Sequence, residues 1–179
     1  MTAPTTGSRT LRMPAGWRWA FTAVTAFFAA GFAWNLLAWA RGELEWTTQN
    51  LVLMPVLGLL VLGLLVGLVV MWTERIWVDH ERNELHWSTA LGAKALPLDP
   101  PTTVRIGYRS PTPGTRVIGS WRLRVTPPDG VPLTLSTPSL PSLADTLEIL
   151  RPAYARNPGL AEDDATRRLL EADGQVNSA

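Results

Sequence analysis

LVLMPVLGLLVLGLLVGLVVMW, residues 51–72, runs for twenty-two residues without a charge. As an α-helix rising about 1.5 Å per residue it reaches roughly 33 Å, enough for a hydrocarbon core about 30 Å thick. The core helix of a soluble protein would carry a polar stripe, and this run has none. Pro55 falls in its first turn, where a missing N–H costs little. Upstream, residues 17–40 (WRWAFTAVTAFFAAGFAWNLLAWA) form a second apolar run broken only by Arg18 and Asn35. The two read as transmembrane helices, and the ten-residue connector 41–50 forces them into an antiparallel hairpin.

Tryptophans mark the ends of both runs: Trp17, Trp19 and Trp72 at one level, Trp39 and Trp46 at the other. Indoles favour the headgroup region, so these read as two aromatic belts, while the deeper Trp34 reads as a packing residue. Ala38-Trp39-Ala40 formally fits a small-x-small cleavage site. The apolar region before it is about twice the usual 7–15 residues of a signal peptide, so an uncleaved anchor is expected. Arg9, Arg12 and Arg18 precede or open the first run, whereas the connector sets Arg41 against Glu43 and Glu45. Positive flanks stay inside, which predicts two spans with both termini in the cytoplasm. Fifteen Arg against one Lys, with abundant Ala, Pro and Gly, suggests a GC-rich genome and so a bacterial cytoplasmic membrane.

Small residues recur within the hairpin. Gly63 and Gly67 make a GxxxG step, and Ala26 with Ala30 and Ala29 with Ala33 make similar faces on the first run. They are expected to pack the two spans together, with self-association as their other use. Asn35 is expected to bond a neighbouring helix. Neither run has a central Asp, Glu, Lys or Arg, so no proton relay or ion path is visible.

Outward from the hairpin the composition changes. Of the 31 charges, 25 lie in residues 73–179. Cysteine is absent, which removes thiol catalysis, disulfides and cysteine-bound metals. Residues 1–16, rich in Thr, Ala, Gly and Ser at their start, are expected to be a disordered cytoplasmic tail. After Trp72 short alternating runs are separated by turn residues. ERIWVD (74–79) and ELHWS (84–88) flank the turn HERN; a third strand spans 93–98 and stops at Pro100-Pro101. TTVRIGYR (102–109) precedes the loop SPTPG (110–114), and residues 121–126 and 131–136 flank the turn PPDG. Val117-Ile118 is either a further short strand or part of a bulged one. Ser142, with Asp145 three residues on, resembles a capping box. It opens a helix over 142–156 whose Leu143, Leu147, Leu150 and Tyr154 share one face. Pro152 is expected to bend or shorten that helix. Residues 160–179 read as an acidic, then polar tail, with a weak helix around 161–172.

No catalytic residue, no metal ligand and no cofactor is expected. Asp79, His80, Glu81, Glu84 and His86 could bind zinc or exchange protons, but His80 sits in a turn that the carboxylates solvate. Asp163 and Asp164 are adjacent in the tail and read as solubilising. There is no G-x-S-x-G elbow and no Walker-type loop. The informative feature is charge segregation: residues 102–128 hold Arg105, Arg109, Arg116, Arg122 and Arg124 and no acid. By alternation Arg105 and Arg109 share one side of a strand, as do Arg122 and Arg124. If those strands are neighbours, the four form either a face for anionic lipid or a protein partner, or an ordinary solvated sheet face. Nucleic acid is not an expected partner, because residues 73–179 hold 12 basic against 13 acidic side chains.

IWVDHERNELHWSTALG leading into KALPLDPPTTVRI, then WRLRVTPPDGVPLTL followed by SLADTLEILRP, resembles the small two-span bacterial membrane proteins that carry a pleckstrin-homology-like domain. The resemblance lies in the order of elements over about residues 74–157. It implies an α+β membrane protein: a transmembrane hairpin (17–72), then a small antiparallel, partly open β-barrel (73–159) closed by an amphipathic helix. It further implies binding or assembly in place of catalysis, with the bilayer and a protein partner or a second copy as partners. The alternative is an accessory subunit or assembly factor whose hairpin packs inside a larger membrane complex.

Overall fold

The computed structural model describes residues 9–43, 47–109, 120–137, 139–140 and 142–172. Trp46, the loop 110–114, Arg116 and the uncertain strand at Val117-Ile118 lie outside those residues. Two units are distinguished: one is Pro14–Thr73, and in the other the described residues before Pro14 join those after Thr73.

The first unit is a pair of helices, α1 (Ala15–Ala40) and α2 (Thr48–Thr73), each long and apolar enough to cross a membrane; α2 starts early enough that Pro55, expected in its first turn, lies inside it. They pack antiparallel. Trp19 meets Trp72 edge to face at 5.5 Å, the Arg18 guanidinium stands 5.0 Å from the Trp72 ring, and Trp72 Nε1 donates to Thr22 Oγ1. Further along, a Cβ on Gly67 would lie 3.3 Å from the Phe21 ring, and one on Gly58 3.2 Å from Phe32. The close approaches are therefore at Gly58 and Gly67. Gly63 has nothing within 4 Å, and Ala26 and Ala30 are exposed, so these expected packing residues lie off the contact between the two helices. Thr25 occupies that contact, fully buried, its hydroxyl donating to the Phe21 carbonyl. Asn35 likewise donates to Gly31 of its own helix and not to a neighbour. Trp34, read as a packing residue, is 72% exposed, because its position on the 3.6-residue turn points away from α2.

The second unit contains two antiparallel three-stranded meanders. β1 (Arg75–Asp79), β2 (Glu84–Thr89) and β3 (Gly92–Pro97) form one; β4 (Thr103–Arg109), β5 (Ser120–Thr126) and β6 (Leu133–Ser136) form the other. In the β1–β2 turn the Asp79 carboxylate accepts the N–H groups of Glu81 and Arg82, and Asn83 takes the left-handed φ of 52° that Asn tolerates. In place of the single partly open barrel that was expected there are two separate sheets, neither paired with the other. Pro97, Pro100 and Pro101 surround the link between β3 and β4 and offer no N–H to continue a ladder.

Helix α3 (Leu143–Arg156) buries Leu143, Leu147 and Leu150 in a core shared by both sheets. Ile76, Val78 and Leu85 enter it from one sheet, and Val104, Ile106, Leu123 and Val125 from the other. Ser142 caps the helix by accepting the Asp145 N–H. The reciprocal half of a capping box is missing, because the short Asp145 carboxylate takes the Ser142 hydroxyl at 2.6 Å instead. The helix also continues four residues past Pro152 before Asn157 ends it.

Both expected tails join this core. Leu11 exchanges two backbone hydrogen bonds with Ile76, is 3% exposed, and so covers the free edge of β1. Met13 is buried beside it in sequence, and Arg9 forms ion pairs with Asp145 and Glu148 on α3. At the other end a 3₁₀ turn (Pro158–Leu160) and α4 (Asp164–Glu171) follow α3, burying Leu160, Ala161 and Leu170. Residues 9–13 and 160–171 are thus structural parts of the domain: an open strand edge on one side and an unfilled core on the other give short apolar segments a place to bury.

Candidate functional site

On β4, β5 and β6 the inward residues are apolar and the outward ones are polar or basic. Along β4 the outward series is Thr103, Arg105, Gly107, Arg109; along β5 it is Ser120, Arg122, Arg124, Thr126; along β6 it is Thr134 and Ser136. The register sets Arg105 opposite Arg124, which is itself opposite Thr134, and Gly107 opposite Arg122. The four arginines picked out by alternation are therefore brought together on one face, and the three strands contribute no acid to it.

Glycine shapes the centre of this grid. Gly107 lies between Arg105 and Arg109 along its strand and faces Arg122 across it, and a Cβ there would meet nothing within 4 Å. An open groove of about 360 Å³ over it is bordered by the four arginines, Tyr108 and Thr134. Tyr108 and Trp121, paired across the two strands with rings 5.0 Å apart, alternate to the other side of the sheet.

Like charges directly opposite each other destabilise a ladder. One of the four is offset. Arg105 Nε lies 3.1 Å from Asp163 Oδ2 and its Nη1 lies 3.9 Å from Glu162 Oε1. These carboxylates arrive because the chain after Leu160 pairs with the free edge of β4: Ala161 bridges Val104, the Glu162 N–H donates to the Val104 carbonyl, and Ile106 N–H donates to Thr166 Oγ1. Asp163 also caps α4 by accepting the Thr166 N–H at 2.7 Å. Hydrogen bonds from the Thr166 side chain and backbone, and then the Arg105 charge, hold the Asp163 carboxyl below its ordinary value of 3.8. Asp163 is thus a cap and a counter-ion, not a solubilising charge; Asp164 pairs with Arg167. Among the described residues Arg109, Arg122 and Arg124 form no ion pair.

The residues near the first hairpin serve local roles. Asp79 is committed to its turn, and the His80 carbonyl accepts from Arg156. The His86 ring stacks on Trp77 at 5.0 Å, with Nε2 3.2 Å from the Glu84 carboxylate. Sequence alternation located the arginines but not Thr134, Glu162 or Asp163 as their neighbours. A single Gly in a strand run was the available signal for close approach or open space. No family model, no curated protein and no solved structure matches the chain.

Proposed function

We propose that this chain is a non-enzymatic integral protein of a bacterial inner membrane. Its hairpin holds a pleckstrin-homology-like interaction domain at the cytoplasmic face, where the arginine side of β4–β6 meets anionic lipid. The carrying observation is that acid-free face, with Arg109, Arg122 and Arg124 unpaired among the described residues, in a domain whose first strand starts two residues after an apolar helix. Anionic lipid attracts each nearby Arg by about 1 kcal/mol, falling off within a Debye length. Two hairpin-containing meanders followed by an amphipathic helix support the family reading, and the Leu11–Ile76 pairing supports placing both ends of the hairpin's flanking chain on one side.

The test uses the full chain in nanodiscs of neutral or partly anionic lipid, read by amide hydrogen exchange. Slower exchange in the β4 and β5 peptides with anionic lipid, reversed by high salt and by the triple change Arg109→Glu, Arg122→Glu, Arg124→Glu, is the expected result. Equal exchange in both lipids would sink the lipid contact.

A second reading, an accessory subunit whose hairpin packs in a larger complex, is favoured by Gly63, Ala26 and Ala30. They leave open small-residue surface on the two helices. Under that reading Gly63→Leu strips a co-purifying membrane partner.

A further inference from the structure

We infer that the groove over Gly107 is a discrete site for one phosphoryl group, the chemistry shared by a phospholipid headgroup and a soluble phosphate ester. The inference rests on the lipid-facing reading of the same face but asks more of it: a stoichiometric pocket, where diffuse attraction would need only charge.

Three observations converge on it. The first is shape: the glycine stands at the one grid position where a side chain would fill the space between Arg105, Arg109 and Arg122. Neighbouring strands are about 4.8 Å apart and residues two apart on a strand roughly 6.7 Å, so these arginine positions surround a single small floor. The second is chemistry. Guanidinium forks bind phosphate oxygens in a bidentate manner, and Thr134 adds a hydroxyl beside Arg124. The third is an imbalance. Arg105 has its counter-ions in Asp163 and Glu162, whereas Arg109, Arg122 and Arg124 have none among the described residues. A dianion placed over Gly107 would offset the repulsion that the register builds in. The groove, about 360 Å³, is large enough for a phosphate and the first atoms of its ester.

Gly107→Val separates the discrete site from general attraction, because it fills the floor and leaves every charge in place. It has open space for its side chain, and a β-branched residue suits a strand. The full chain in neutral detergent is titrated with inorganic phosphate and with glycerol phosphate at ionic strength held constant with chloride. Binding is followed by phosphorus NMR and by the rise in unfolding midpoint that a ligand of the folded state must give. The expected result is saturation at one phosphate per chain, weakened about tenfold or more by Gly107→Val. Arg122→Gln should weaken it similarly and serves if the valine variant does not fold. The nanodisc exchange measurement on Gly107→Val then identifies the source. Protection by anionic lipid that is lost in the variant assigns the pocket to a headgroup; protection that persists while phosphate binding is lost assigns it to a soluble ester. Absence of saturable phosphate binding, with lipid protection equal in both proteins, overturns the pocket and leaves the lipid contact standing. Absence of both overturns the two together.

Discussion

Leucine meets opposite fates in the two units. On α2, Leu59 and Leu62 are 69% and 58% exposed; in the β domain Leu85 and Leu150 are fully buried. The residue type is the same and the surroundings differ. A helix pair that turns its apolar side chains outward suits a hydrocarbon solvent, while the domain gathers its own around α3 away from water. The same contrast holds for polar groups. Thr25 and Asn35 donate to carbonyls of their own helix, which would leave neither donor unsatisfied in an apolar medium. In the domain polar side chains join separate segments, as Asn157 does by donating to the Leu98 carbonyl.

The sharpest way to break this comparison is to shorten one leucine in each unit. Leu150→Ala should cost the domain about 2–5 kcal/mol, read by denaturant unfolding of the full chain in micelles with tryptophan fluorescence. Leu59→Ala should leave that transition where it was. Equal effects would mean that the two units do not have separate cores. A smaller effect tests the hairpin. Gly67→Leu must displace Phe21, whereas Gly63→Leu enters open space. Cysteine cross-linking between the two helices should therefore fall for the first and persist for the second. Loss of cross-linking in both would place Gly63 in the helix contact.

The smallest expected effect concerns pH. The folded Asp163 carboxyl lies below its ordinary 3.8, so the folded state favours the ionised form. Its contribution is present above the unfolded value and is lost as the pH falls through the folded one. Asp163→Asn retains a residue able to cap α4 but removes the charge facing Arg105. The unfolding midpoint of the native chain should drop on acidification below pH 4 more than that of the variant, and the two should converge at the acid end. Parallel curves would show that Asp163 acts only as a cap.

Alternation and turn chemistry made the six described strands and α3 legible, because Val104, Ile106, Leu123 and Val125 recur every second residue and Leu143, Leu147 and Leu150 follow the helical turn. Other features had no local signature. Leu11 and Met13 form too short an apolar series to define an element; they bury because β1 presents an unpaired edge. Leu160, Ala161 and Leu170 lie among charges, and their burial depends on contacts with residues far away in the chain.

The two apolar helices, the local strands and the outward side of each arginine were legible in the residues alone, since these follow from periods of 3.6 and 2 that any short segment carries. Long-range packing makes β4 and β5 neighbours in the register that surrounds Gly107 with arginines. It also decided that Arg105 alone of the four meets carboxylates among the described residues, and that the two meanders stay unjoined. Pairing between distant segments depends on which edges and faces remain open once every nearer contact has formed, and no local period encodes that.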